Sequence, residues 1–260
     1  MQFAKRGFLG ENNKGFAEES HKNHKEIYCL IEKVSRLSKN VIKSSKGINL
    51  DRRQMVVICM LLKLLSRVEN VISITEKGSE ADAVYLLRGV IEGLAVLKCS
   101  CEQEEFIDKY LGNEVVRNKK LIEGFTNNKE YIPAWNEDYW KYVENILNRN
   151  KEVIKEYSLK GLKLSEICED AGLKDIYITT YACLCKEVHF HPTLLMGYFF
   201  INDNKMVDIN TRQDKEAAKI LTTVSRYTLI ALKSYCAYMK LSYINEIDIL
   251  EEGFSQILGG

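Results

Sequence analysis

The chain has 260 residues, 46% of them hydrophobic, enough for a sizeable core. Its 37 Lys and Arg against 36 Asp and Glu leave no global attraction for nucleic acid or an anionic membrane. Only two prolines, Pro133 and Pro192, interrupt it, so long segments are free to be helical.

In chain order, residues 1–17 carry Gly7, Gly10, Asn12, Asn13 and Gly15 and are expected to form a flexible leader. The first residues put no apolar run behind their charges, unlike a secretory signal. A helix is expected from about Glu18 to Ser44, with Ile27, Leu30, Ile31, Val34, Leu37, Val41 and Ile42 at helical spacing. Gly47 is placed to end it. Asp51 is a good N-cap for a second helix running to about Lys77. That helix holds the most apolar stretch, Met55–Leu65, which is too short to span a bilayer and is flanked by Arg52, Arg53 and Arg67. Gly78 separates it from a third helix, opened by Ser79 and ending near Ser100. Residues 102–125 are amphipathic, and 126–133 read as a loop. A charged helix follows from Trp135 to Tyr157, then a short one over Leu164–Asp170. Ala171-Gly172-Leu173 turns the chain into a helix over 175–190. Alternation suggestive of a strand is weak throughout, and 194–201 is its best instance; 201–212 read as an exposed loop. A long helix from Asp214 to about Ser242 and a tail helix ending near Leu258 complete an all-α fold. The expectation is one helical domain over 18–260, a bundle of about eight helices.

Two constellations stand out. Arg88 and Glu92 sit in a helix that is otherwise apolar nearly all round, which implies burial or a place in a cleft wall. Gly89 and Gly93 form a second i,i+4 pair in the same helix. They cost about 1 kcal/mol each in helix propensity and would let another backbone approach closely. Tyr181, Cys185 and His189 recur every fourth residue on one stripe of the 175–190 helix, and His191 follows where Pro192 should end it. A histidine at a helix C-terminus has its charged form favoured, which suits anion binding or acid catalysis. The residues singled out are thus Arg88, Tyr181 and Cys185 for binding a ligand and Glu92, His189 and His191 for acid–base work.

Other patterns argue against familiar chemistries. Glu92, Glu187 or Cys185 could join the two histidines, but no known metal spacing is met, and neither a metal nor a cofactor is expected. Cys99/Cys101 and Cys183/Cys185 are spaced i,i+2, point to different helix faces and chelate poorly; they read as small buried apolar residues. Eight cysteines without a signal segment suggest reduced thiols in a cytoplasm. Residues 164–185 scan like a helix-turn-helix, but the second helix has no Lys or Arg before Lys186, so DNA binding is not expected. Phosphate-loop, dinucleotide and metalloprotease patterns are absent, as is the Arg-to-His spacing of helical RNase toxins.

Leu87-Arg88-x3-Glu92, Ala171-Gly172-Leu173, Tyr177, Tyr181 and His189-x-His191-Pro192 together resemble a bacterial family catalogued as domain of unknown function 5677, over roughly residues 50–240. Cys185 stands where family members commonly have serine. Phe190-His191 intervenes before the proline, so either histidine matches the family's. The resemblance implies an all-helical fold and no known activity.

Three readings follow from these residues. The chain is a binding protein whose helical bundle holds a small or anionic ligand, or a partner. Alternatively it is a hydrolase, directed at nucleic acid in stress or phage defence, with Glu92 or His189 as general base, His191 as acid and Arg88 stabilising developing charge. In the third reading, the polar pair only fixes packing. Self-association and RNA stay open as partners; a membrane is not expected.

Overall fold

The computed structural model describes residues 14–45, 49–132, 136–188, 199–201, 207–209, 214 and 216–259. Their contacts divide into two compact units, one built from residues up to Glu102 together with Cys168 onward, the other from Gln103–Ile167. The sequence expectation was a single helical domain over 18–260.

In the first unit, α1 (Lys14–Asn23) and α2 (Lys25–Ser44) replace the one helix expected over 18–44. The break falls at His24, whose backbone leaves the helical region at φ −117° and ψ 31°. Hydrophobic spacing does not mark it, because both halves remain helical. Next, α3 (Arg52–Glu76) starts at the expected Asp51 through a full capping box. Gln54 N–H donates to Asp51 Oδ1 at 2.7 Å, and Asp51 N–H donates back to Gln54 Oε1 at 3.0 Å. It ends at Gly78, in the left-handed region at φ +75°. There Gly78 N–H meets the Thr75 carbonyl and Ser79 N–H the Ile74 carbonyl, so two terminal carbonyls are satisfied. A side chain at Gly78 would also strike Phe16 at 2.6 Å.

Helix α4 (Glu80–Glu102) packs against α3 and the long C-terminal helix. Its face of Leu87, Val90, Ile91 and Leu94 is buried as the wheel predicts. Gly172, at φ +66°, repeats the Gly78 arrangement after α7 (Leu164–Asp170): Gly172 and Leu173 N–H groups donate to the Glu169 and Cys168 carbonyls. The chain then enters α8 (Lys174–Ile176), passes through a π-helical turn at Tyr177–Tyr181 and continues as α9 (Ala182–Val188).

The region expected as an exposed loop contains part of a small hairpin instead. Strand β1 (Phe199–Ile201) pairs antiparallel with β2 (Val207–Ile209), Phe200 opposite Asp208. Strand β1 falls within 194–201, the best instance of alternation in the sequence, while β2 lies in the stretch expected as a loop. The rest of the unit is helical: α10 (Ala217–Met239) is buried along most of its length, and α11 (Ile244–Gly259) packs on α10 and α2. Fully buried Tyr235 places its hydroxyl 2.6 Å from Ser45 Oγ, so a core phenol keeps a partner. The fold is all-α apart from that hairpin.

The second unit pairs α5 (Phe106–Thr126) with α6 (Glu137–Glu156). Asn136 caps α6 by accepting from Tyr139 N–H at 2.9 Å. Gly112 admits Leu159, which would otherwise meet a Cβ at 2.9 Å. Within the stretch expected as a loop, Lys129–Tyr131 forms a single 3-10 turn.

Candidate functional site

Arg88, Glu92 and Tyr181 come together at one point in the first unit. The Arg88 Nε–H donates to the Tyr181 hydroxyl at 2.9 Å and reaches Glu92 Oε1 at 3.2 Å. The Tyr181 hydroxyl donates to the same Glu92 oxygen at 2.8 Å. The phenol therefore spends its donor on the carboxylate and accepts from the guanidinium, closing a three-membered ring of hydrogen bonds. The guanidinium carbon also lies 5.3 Å from the centre of the Tyr181 ring.

The π-helical turn positions Tyr181. Ala182 N–H bonds the Tyr177 carbonyl, five residues back, which inserts one extra residue and rotates everything after it on the helix. Tyr181 and half-exposed Cys185 follow this insertion. Tyr177 stacks on Tyr181 with ring centres 5.2 Å apart, holding the phenol's bearing. Tyr181 is buried while Arg88 and Glu92 keep 33% and 37% of their side-chain surface, so the ring of bonds has one dry member and two wet ones.

The electrostatics follow from this arrangement. Burial raises the Tyr181 phenol well above the ordinary tyrosine range, and its bond to Glu92 adds to this; Arg88 pulls the other way. Arg88 is held still more firmly protonated than usual, first by its bond to Tyr181, with burial opposing and with Glu92 and Cys185 adding negative potential. At neutral pH the site is a guanidinium, a carboxylate and a neutral phenol.

Stability does not account for this pair. Arginine placed N-terminal to glutamate at i,i+4 is the weaker of the two helical orientations. A pair one-third exposed contributes about 0–1 kcal/mol. What matters chemically is which atoms stay available. Among the described residues, the Arg88 terminal nitrogens and Glu92 Oε2 have no hydrogen-bond partner. Two donors and one acceptor remain unused on side chains that are one-third exposed.

Of the six residues singled out from the sequence, Arg88, Glu92 and Tyr181 meet directly, and Cys185 lies within electrostatic reach of Arg88. His189 and His191 lie outside the described residues. Cys99 and Cys101 are buried as expected, and burial first of all pushes both thiols up to about 12. Cys183, by contrast, is exposed, because its i+2 offset from Tyr181 turns it away from α4.

Two features escaped the sequence reading. Arg67, read there as a flanking charge, donates through Nη1 to the Gly89 carbonyl at 2.6 Å, and its guanidinium lies over the Gly89–Gly93 notch. The glycine pair was the available signal, but it was expected to admit another backbone, and the structure brings the side chains of Arg67 and Leu64 there instead. The other feature joins α1 to the start of α10. His24 Nε2 lies 3.0 Å from Asp214 Oδ1 and Asn23 Nδ2 donates to Asp214 Oδ2 at 3.1 Å, while His21 Nε2 lies 2.8 Å from Glu76 Oε1 at the end of α3. No local spacing could have found contacts so distant along the chain. Among the described residues no group of three or more His, Cys, Asp or Glu is arranged to hold a metal ion, and no helix is long and apolar enough to cross a membrane.

Comparison with curated proteins and with solved structures gives no match. One family model does match, over residues 54–206, a span that holds Arg67, Arg88, Glu92, Tyr181 and Cys185 and leaves out His21, His24 and Asp214. That stretch is more than half of the chain, and the chain belongs to DUF5677, a family of unknown function.

Proposed function

We propose that this protein binds a small anionic ligand at Arg88, with Glu92 and Tyr181 orienting the guanidinium. The observation that carries the reading is the use of Arg88 Nε alone in the hydrogen-bond ring. Anchoring a guanidinium through Nε fixes its plane and presents both terminal nitrogens as a fork. That fork matches the paired oxygens of a carboxylate or phosphate. Buried Tyr181 stiffens the anchor, and the neutral phenol adds no competing charge. Glu92 limits the site's net charge, and its free oxygen favours a ligand that also offers a hydroxyl or amine.

Calorimetric titration of the full chain with inorganic phosphate at low ionic strength tests this. Wild type is expected to show saturable binding, weakened about tenfold or more by Arg88→Gln. Arg117→Gln, which touches only the exposed Glu114 pair of the other unit, is the control and leaves binding unchanged. Absence of saturable binding, or equal affinity in Arg88→Gln, contradicts the reading.

A further inference from the structure

Among the described residues Arg67 has no counter-charge. Its guanidinium is half-buried, yet among the described residues no carboxylate lies within 4.0 Å of it, and its one hydrogen bond goes to the Gly89 carbonyl. In a regular helix that carbonyl already accepts from the N–H four residues on, so Arg67 is not rescuing an orphaned group. A guanidinium stays charged at every ordinary pH, and holding it partly out of water without a partner is unfavourable.

Its place is specific. The Gly89 position would bring a Cβ to 3.4 Å from Arg67 Nη1, and a Cβ at Gly93 would come to 3.8 Å from the same atom. Arg67 therefore lies across the turn of α4 that begins at Arg88 and contains Glu92. From Tyr85 to Val96 the exposed or half-exposed residues are Tyr85, Leu86, Arg88, Gly89, Glu92, Gly93 and Val96, a continuous strip with glycine at its middle. Arg88 borders the strip on the Tyr181 side and Arg67 on the α3 side. Two guanidinium groups thus flank one helical turn from its two sides.

We infer that Arg67 is the second cation of the Arg88 site and that the ligand carries two adjacent anionic groups, of the diphosphate kind. This rests on the anion-binding reading of Arg88 and extends it to the ligand's charge. Arg88, held by Tyr181 and Glu92, takes one anionic group through its terminal nitrogens. Arg67 swings its unused nitrogens to the other across the glycine floor, where any larger side chain would stand between ligand and helix. Glu92 between them disfavours a third anionic group.

The test uses the full chain and two probes, inorganic pyrophosphate and inorganic phosphate. Wild type is expected to bind pyrophosphate about tenfold or more tighter than phosphate. Arg67→Gln is expected to bring the two affinities close together with phosphate binding nearly unchanged, and Arg67→Lys to keep part of the preference. Arg88→Gln weakens both. A preference left intact in Arg67→Gln overturns the inference and leaves the Arg88 reading standing; affinities left intact in Arg88→Gln, or no binding by wild type, overturn both. Phenylglyoxal modification of the wild-type protein read by mass spectrometry gives the same answer without a variant. Pyrophosphate should protect Arg67 and Arg88, whereas phosphate should protect Arg88 alone. Protection of Arg88 only by both probes contradicts a role for Arg67.

Discussion

Arg53 and Arg67 leave the same helix, α3, and both donate to backbone carbonyls of α4, yet they do different work. Arg53 reaches the C-terminal turn: Nη2 donates to the Ser100 carbonyl at 2.9 Å and Nε to the same oxygen at 3.3 Å, with its guanidinium 5.0 Å from the Tyr238 ring centre. Those carbonyls belong to the last turn of the helix, where no N–H follows to satisfy them, and a cation there also meets the negative end of the dipole. Arg67 reaches the middle of the helix, where the ladder is already complete. The first contact completes the fold; the second leaves a charge looking for a partner. A hydrogen bond to a helix carbonyl is thus not by itself a structural explanation. Its position along the helix decides.

Stability measurements sharpen this contrast first. Arg53→Gln should lower the urea unfolding free energy by about 1.5–3 kcal/mol, the range for hydrogen bonds involving a charged group. Arg67→Gln should cost less than about 1 kcal/mol, because it removes an uncompensated charge along with its bond. Equal losses would break the distinction and make Arg67 a structural clamp between α3 and α4.

A smaller effect is expected at the ring of bonds that orients Arg88. Tyr181→Phe should cost about 1 kcal/mol at neutral pH, one hydroxyl's net worth. The phenol's folded-state pKa is raised above the unfolded value. Its contribution is therefore complete below the ordinary tyrosine range near pH 10 and is lost as pH climbs through the raised folded value. Difference absorbance of the phenolate, wild type minus Tyr181→Phe, should place this ionisation above the ordinary tyrosines. Ionisation at an ordinary tyrosine pH would show that the phenol is neither dry nor bonded to Glu92.

The parts of this architecture that were legible beforehand are those set by neighbours in sequence. Asp51, Gly78 and Gly172 mark helix ends through local backbone chemistry, and they hold. Arg88 and Glu92 stood out because charge is expensive inside an apolar helix, and Tyr181 because it shared a stripe with other polar groups. Their meeting, though, depends on a π-helical turn at Tyr177–Tyr181, which no residue pattern announces. The break at His24 was equally hidden, since its cause is tertiary: the imidazole is drawn to Asp214, which lies far along the chain. Arg67 was legible only as a flanking charge, because sequence shows which residues are charged but not what their side chains meet across the fold.

The central claim, that Arg88 presents a fixed and unoccupied fork to solvent, is tested most directly by following arginine side-chain N–H resonances during an inorganic phosphate titration. With Nε held by Tyr181 and Glu92, the Arg88 Nε–H signal should be present and exchange-protected before any addition, and the Arg88 guanidinium signals should shift saturably as phosphate is added. An Arg88 Nε–H that exchanges like those of exposed arginines, or small unsaturating shifts spread over all arginines alike, would contradict the account.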